Sequence, residues 1–405
     1  VTKKNVLVID GDTVKLRIHE ERQFTGNHVH VDWVRFTCIL RNAPTPDVDL
    51  LFPPDQRYLV DTIHPENESS WQRYLRVTKL LSEVPDVDWA PSAQAYTLAV
   101  KVATAMGPDF VVDAQPRKGM DFYKFRWSIL LNETEVAWVG YLSATDSPSR
   151  NRQNSTIHAN VMGTACTFAK PGWNTRLADL IDETKGVLTR ADLALDFFDG
   201  YLGGIESVRA DYRDGLCNVG GRKLKFNLVG DWENHHDRSV YLGSREAGKI
   251  TNVYEKGDQL YGEKTGSDWL RFELRYGNKL RVLSSDVLRR PDAHFGGASD
   301  WHASVLLKAG SICAPEKIAR TARLPLETVQ AECVKNVRWL ATTAASSMAL
   351  FLKLTDGDTL WELAGNAKLP GRLRKFSMSQ IAECFTSAVE KITTAGQLPT
   401  VPMAA

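Results

Sequence analysis

Tyr254 and Lys256 stand two residues apart at the end of a short β-like run that begins at Ile250. On a strand their side chains leave the same face. Two other strand-like stretches carry acids: Arg190-Ala191-Asp192-Leu193-Ala194-Leu195-Asp196 and Trp269-Leu270-Arg271-Phe272-Glu273-Leu274-Arg275. A phenol oxygen can attack phosphorus, and a lysine beside it can lower the cost of its ionisation or clamp a phosphate oxygen. Carboxylates from neighbouring strands can hold a divalent cation that polarises the phosphate. Such help is needed, because ionising a free tyrosine at pH 7 costs about 4 kcal/mol. Taken alone, a strand tyrosine is more often a core residue; the neighbours make Tyr254 a candidate nucleophile. Tyr241, also on a strand and two residues before Gly243, is a second candidate.

Alternation sorts these stretches into faces. Ala191, Leu193, Leu195 and Phe197 share one face of the first, and Arg190, Asp192, Ala194 and Asp196 share the other. In the second, Leu270, Phe272, Leu274 and Tyr276 oppose Arg271, Glu273 and Arg275. A sheet with helices behind and a polar working surface in front fits both, as does an ordinary solvated face. Asp192 and Asp196 lie roughly 13 Å apart along an extended strand, whereas cation–oxygen bonds are about 2.0–2.6 Å. One ion therefore takes one of them together with Glu273. Asp192 is preferred because it is central, while Asp196 approaches the loop at Asp199-Gly200. Structural pairing with Arg190 or Arg271 is the competing account of either acid.

Three further patterns compete for attention. Gly243-Ser244-Arg245-Glu246-Ala247-Gly248-Lys249 has phosphate-loop spacing. Ile250 stands where the metal-binding hydroxyl belongs, and a strand follows rather than a helix, so the segment reads as a hairpin turn. His28-Val29-His30 with Asp32 forms a second potential ion site, although Asp32 shares strand parity with the apolar Val34, Phe36 and Cys38. Arg190, Arg245, Lys249, Arg271 and Arg275 could contact nucleic-acid phosphates.

The 405-residue chain has globular composition, with 43% hydrophobic and 24% charged residues. A net charge of +1 argues against a wholesale polybasic binder and leaves room for a local basic face. None of the six cysteines forms a CxxC pair, so no zinc or disulfide framework is expected and a reducing cytoplasm is the simplest home. The apolar run Val6–Ile9 is too short for a signal peptide. Leu340–Leu352 is too short and too polar for a membrane span and reads as a buried helix. The pattern predicts an α+β protein in four parts. A β arm spans 1–28, an antiparallel-sheet catalytic core with helices on one face spans 29–296, a helical region spans 297–395, and a loose tail occupies 396–405.

At these residues the chain resembles replication initiators of the trans-acting rolling-circle type, from small circular plasmids, filamentous phages and related integrated elements. The resemblance runs from about Val31 to Trp301. Its carriers are Val31-Asp32-Trp33-Val34-Arg35-Phe36-Thr37, Leu188 to Asp196, Gly230-Asp231-Trp232, Tyr241 to Arg245, Val253-Tyr254-Glu255-Lys256-Gly257 with Gln259, and Trp269 to Glu273. Two departures are Ala191, where the family has Ile or Leu, and Tyr141 to Asn154, where the family is richer in glycine. The resemblance implies a site-specific single-strand endonuclease with joining activity. Tyr254 would form a 5′-phosphotyrosine and leave a 3′-hydroxyl, with Asp192, Glu273 and Asp32 holding Mg2+ or Mn2+. Implied partners are origin DNA as a single strand or hairpin, a host helicase and polymerase, and a second copy of the chain, with no membrane. Three rivals remain: a non-catalytic DNA-binding replication or transcription regulator, a nuclease that uses water, and a weaker one, a nucleotide-driven enzyme at Gly243 to Lys249.

Overall fold

Eleven antiparallel strands form one sheet among the described residues. In chain order they are β1 (Val29–Ile39), β2 (Phe110–Val112), β3 (Arg117–Lys118), β4 (Tyr123–Leu131), β5 (Thr134–Ser143), β6 (Thr156–Val161), β7 (Val187–Phe197), β8 (Phe226–Asp231), β9 (His236–Ser244), β10 (Lys249–Glu255) and β11 (Leu270–Gly277). The spatial order is β2-β4-β5-β6-β1-β7-β11-β10-β9-β8, with β3 paired to β4. The structure is a computed structural model that describes residues 10–46, 69, 71–72, 89–144, 154–262, 266–319, 325–355, 357–365, 369 and 373–394. The tail expected at 396–405 lies outside them.

The expected α+β architecture holds, and its cause is the period-two pattern. Leu193 and Leu195 of β7, Phe272 and Leu274 of β11, and Val34 and Phe36 of β1 are buried in one core. Helices cover that side: α2 (Trp89–Met106), α4 (Trp173–Glu183), α5 (Gly204–Arg213) and α9 (Asp300–Lys308) contribute Leu98, Val102, Leu177, Ile181, Val208 and Val305. Fully burying a side chain of this size is worth about 1.5–3 kcal/mol. The short helices between them are α3 (Gly163–Phe168), α6 (Lys256–Tyr261), α7 (Asp286–Arg289) and α8 (Pro291–Gly296).

Two domain expectations need correction. The segment expected as a β arm holds a helix, α1 (Gly11–Thr25). Asp10 caps it by accepting the backbone N–H groups of Asp12 and Thr13, and Gly26, at φ 73°, ends it in the left-handed region. The Asp10 cap thus starts a helix inside the segment expected to be extended. Val14 and Ile18 then pack on Trp269. The expected boundary at 296/297 also moves. Trp301, Val305 and Leu306 of α9 belong to the sheet's own core, so the compact units are Val1–Arg320 and Thr321–Ala405.

The second unit is helical, as expected, with α10 (Pro325–Trp339), α11 (Ala345–Leu354), α12 (Gly357–Gly365) and α13 (Met378–Thr394). Its core joins Val329, Cys333 and Val337 of α10 to Ile381, Cys384 and Ala388 of α13. Leu340–Leu352 is helical but not buried: Leu350 and Leu352 are exposed. No helix among the described residues is long and apolar enough to cross a membrane.

Candidate active site

The polar face of the central strands assembles the site, and register decides which side chains meet. Tyr254 of β10 lies opposite Arg271 of β11. Across the next ladder, Arg271 faces Asp196, Glu273 faces Ala194, and Arg275 faces Asp192 of β7. On β1, Val31 pairs with Leu193 and Trp33 with Asp192, so Asp32 is the extra residue of a bulge. A bulge turns a side chain away from strict alternation. It releases Asp32 from the buried side that Val34 and Phe36 occupy and lets it join the polar side.

These residues border a cleft of about 460 Å³. Tyr254, Lys256, Gln259, Asp32, Arg271 and Glu273 line one part of it; Thr164 and Thr167 of α3 and Val14 of α1 line another. The Tyr254 hydroxyl donates to Glu273 Oε2 at 3.3 Å. Lys256 Nζ donates to Gln259 Oε1 at 2.7 Å and lies 5.8 Å from the Tyr254 ring centroid. The sheet therefore brings together Tyr254, Lys256, Glu273 and Asp32.

Beneath the cleft lies a charge network that alternation alone does not reveal. Arg271, expected to contact nucleic acid, is only 2% exposed. Its Nε donates to Asp196 Oδ1 at 2.7 Å, its Nη2 to Asp196 Oδ2 at 3.1 Å, and its Nη1 to Asp32 Oδ1 at 3.0 Å. It is an internal brace rather than a surface contact. Trp269 Nε1 also donates to Asp196 Oδ1, at 2.6 Å. Burial alone would raise the Asp196 acid, but Arg271, with His30 and Arg22, holds it down at about 2. Burial moves the working groups the other way. It pushes Glu273 up to about 7, helped by Asp32 and Asp192 and opposed by Arg275 and Arg271. It lifts the Tyr254 phenol well above 10 despite Arg271. It lowers Lys256 to about 8, helped by Arg271.

Asp192 is the main correction to the expected ligand set. It is 1% exposed and held by Arg190, whose Nε donates at 2.8 Å and whose Nη2 also contacts it. Arg275 Nε donates to its oxygens at 3.0 and 3.2 Å. The pairing rival considered above is thus realised for Asp192, although with Arg190 and Arg275 rather than Arg271. Asp32 and Glu273 remain as the carboxylates that border the cleft. His30 joins them from behind, with Nε2 3.8 Å from Asp32 Oδ1 and Nδ1 3.6 Å from Asp196 Oδ2. It is 6% exposed, and neither ring nitrogen has a hydrogen-bond partner. Burial holds the imidazole at about 4, hence neutral at pH 7. His28 instead turns to Asp292, 3.9 Å away.

The remaining expected residues lie around the cleft. Arg190 and Arg275 reach it while bound to Asp192. Tyr241 lines a small adjoining cavity with Arg245, Asn252, Glu273 and Arg275. Lys249 Nζ donates to the Ala298 carbonyl at 2.6 Å, and the segment around Arg245 is a hairpin turn between β9 and β10, as expected. Elsewhere, Asp286, His294 and Glu316 gather ligand atoms within 4.8 Å of one another. Arg290 already pairs with both acids there, reaching Glu316 Oε2 at 2.6 Å, which fits an ion-pair cluster. Sequence reasoning missed Arg22, whose Nη2 donates to the Asp196 carbonyl at 2.9 Å. The Asp10 cap was the available signal for the helix that carries it.

The family model described as "Replication initiation factor" (Rep_trans) matches residues 186–363. Among solved structures, the rolling circle replication initiator protein from Geobacillus stearothermophilus is similar at 15% identity. The likeness covers 73% of this chain and 99% of that one, with a TM-score of 0.41. Comparison with curated proteins found no match. The matched stretch, under half of the chain, is similar to replication initiation factors and holds β7, β10 and β11, and with them Asp192, Tyr254 and Glu273.

Proposed function

We propose that the protein initiates rolling-circle replication by nicking one strand of its origin through Tyr254 and later rejoining the strand. The observation that carries this reading is the hydrogen bond from the Tyr254 hydroxyl to Glu273, in a cleft that Lys256 and Asp32 also border. The phenol proton thus has an acceptor in place, and a carboxyl raised to about 7 takes a proton more readily than an ordinary one. As the Tyr254 Oη–P bond forms, the P–O3′ bond breaks. The departing 3′ oxygen takes a proton from Lys256, whose value near 8 leaves it charged yet able to give one up at neutral pH. The product is a 5′-phosphotyrosine and a free 3′-hydroxyl, and rejoining reverses each transfer.

The residues fit a divalent cation. Glu273 is raised by neighbouring carboxylates as well as by burial, and His30 has two buried nitrogens without partners. Asp32 and Glu273 would hold Mg2+ or Mn2+, with His30 adjacent. Bound there, the ion would polarise the scissile phosphate and lower the cost of placing negative charge on it. Arg271 fixes Asp32 from below, while Arg190 and Arg275 offer positive charge to the strand. Origin DNA, a host helicase and polymerase, and a second copy of the chain are the partners of this reaction.

The test is incubation of the full chain with single-stranded origin DNA and Mn2+. A band shifted on a denaturing gel and mapped to Tyr254 is expected. It should be lost in Tyr254→Phe, which still binds the DNA, and absent when EDTA replaces the ion. Cleavage without a protein–DNA bond would identify a water-using nuclease and overturn the reading. Unimpaired adduct formation by Tyr254→Phe would overturn it equally.

A further inference from the structure

We propose that a second cavity on the same polar face, next to the cleft, is a pocket for one nucleobase of the DNA strand, with Phe122 as its stacking platform. The inference rests on the reading of the cleft as the site that holds the strand. The cavity is about 420 Å³, within the range of small-ligand pockets, and it shares Arg190 and Arg275 with the cleft. A strand whose phosphate lies at Tyr254 would meet those two arginines on leaving the cleft and arrive at this pocket.

The backbone around Phe122 is unusual in a way that its packing does not explain. Asp121 and Phe122, in the turn between β3 and β4, have φ of 50° and 78°. L-residues pay a steric penalty in that region, and it is an outlier for a bulky side chain. The turn is nevertheless tightly specified. The Gly119 N–H donates to the Lys124 carbonyl at 2.8 Å, and the Ala144 N–H donates to the Phe122 carbonyl at 2.8 Å. A Cβ at Gly119 would fall 2.0 Å from the Tyr123 carbonyl oxygen, so the close approach requires glycine there. Arg35 Nη1 holds Asp121 Oδ2 at 3.0 Å. All this constraint places a phenyl ring at the cavity with 70% of its surface exposed. Strain of this kind persists where surrounding contacts over-determine it, and it concentrates at binding sites.

The rest of the lining suits a base attached to phosphate. Tyr123 and His158 stack with ring centroids 5.8 Å apart and planes 9° from parallel, which makes the floor aromatic. Four arginines and Lys249 line the pocket against one carboxylate, that of Asp121. Among the described residues the Arg245 guanidinium has neither an ion-pair nor a hydrogen-bond partner, so it is available to a base edge or a phosphate. Aromatic platforms beside positive charge are how proteins hold single strands.

The experiment uses the full chain in EDTA, so that no strand is cut. Fluorescence anisotropy compares an oligothymidylate of about fifteen nucleotides with an abasic strand of the same length. Glycine adopts positive φ without strain, so Phe122→Gly should melt no lower than the wild type. It should lose between about 5-fold and about 150-fold in affinity for the oligothymidylate and nothing for the abasic strand. Phe122→Trp should restore the difference between the two strands. Equal affinity for oligothymidylate in Phe122→Gly and wild type, or an equal loss on both strands, would overturn the proposal. The two readings separate cleanly. If the Tyr254 adduct forms with Mn2+ but no base-dependent loss is seen, the pocket alone is wrong. If the base-dependent loss is seen without any adduct, the pocket stands and the cleavage reading falls.

Discussion

Replacing Glu273 by Gln probes the electrostatic logic of the cleft directly. Burial, reinforced by Asp32 and Asp192, raises this carboxyl from 4.5 to about 7. An acid raised by folding binds its proton more tightly in the folded chain than in the unfolded one. Its contribution to stability is complete below about pH 4.5 and is lost as pH rises through about 7. A displacement of this size corresponds to about 3 kcal/mol, and the side chain is only 12% exposed, so solvent screens little of it. Gln has nearly the same shape, still accepts from Tyr254, and carries no charge. Urea denaturation in EDTA between about pH 5 and about pH 8 should therefore show a wild type that loses about 3 kcal/mol more than Glu273→Gln. At the alkaline end the variant should be the more stable protein. Mn2+ should restore stability to the wild type and not to the variant, because an ion held by the carboxylate favours its ionised form. Coincident pH slopes for the two proteins would refute the account.

Two other perturbations address the brace and the proton donor. Arg271→Ala leaves Asp196 buried without the guanidinium that holds it near 2. Removing one partner of a buried pair costs about 3–5 kcal/mol, which a shift in the denaturation midpoint measures, and an unchanged midpoint would exclude the brace. Lys256 acts in its charged form and is lowered to about 8 by burial and Arg271. The rate of adduct formation should fall above about pH 8 in the wild type. Lys256→Met should be slow and lack that alkaline limb, and a limb that persists in the variant would assign it to another group.

The working face was largely legible in the chain. Alternation along Arg190–Asp196 and Arg271–Arg275 separated core from polar residues, and the structure places Leu193, Phe272 and Leu274 in the core as expected. Tyr254 and Glu273 share the face predicted for them and meet. Asp32 was harder to place, because its parity matched Val34 and Phe36 and only pairing with β7 exposes the bulge that frees it. The helix at Gly11–Thr25 replaces the expected β arm, and its one local signal is the Asp10 cap. Nothing local marks Phe122, whose backbone is set by hydrogen bonds to β4 and to Ala144.

What the sequence determined by itself was therefore chemistry and, for Tyr254, Asp192 and Glu273, face: a phenol and carboxylates on the polar side of their strands, with a lysine close by in the chain. These are local properties, since successive side chains of an extended backbone point in opposite directions whatever the strand pairs with. Only the tertiary structure decided which charges remain available. Arg190, Arg271 and Arg275 look equivalent along the chain, yet register sets Arg271 against Asp196 and Arg275 against Asp192, burying the first as a brace and leaving the others at the cleft. Ionisation follows from that burial and those pairings. Both arise from contacts between residues far apart in sequence, where a slip of one position would turn every side chain of a strand to the other face.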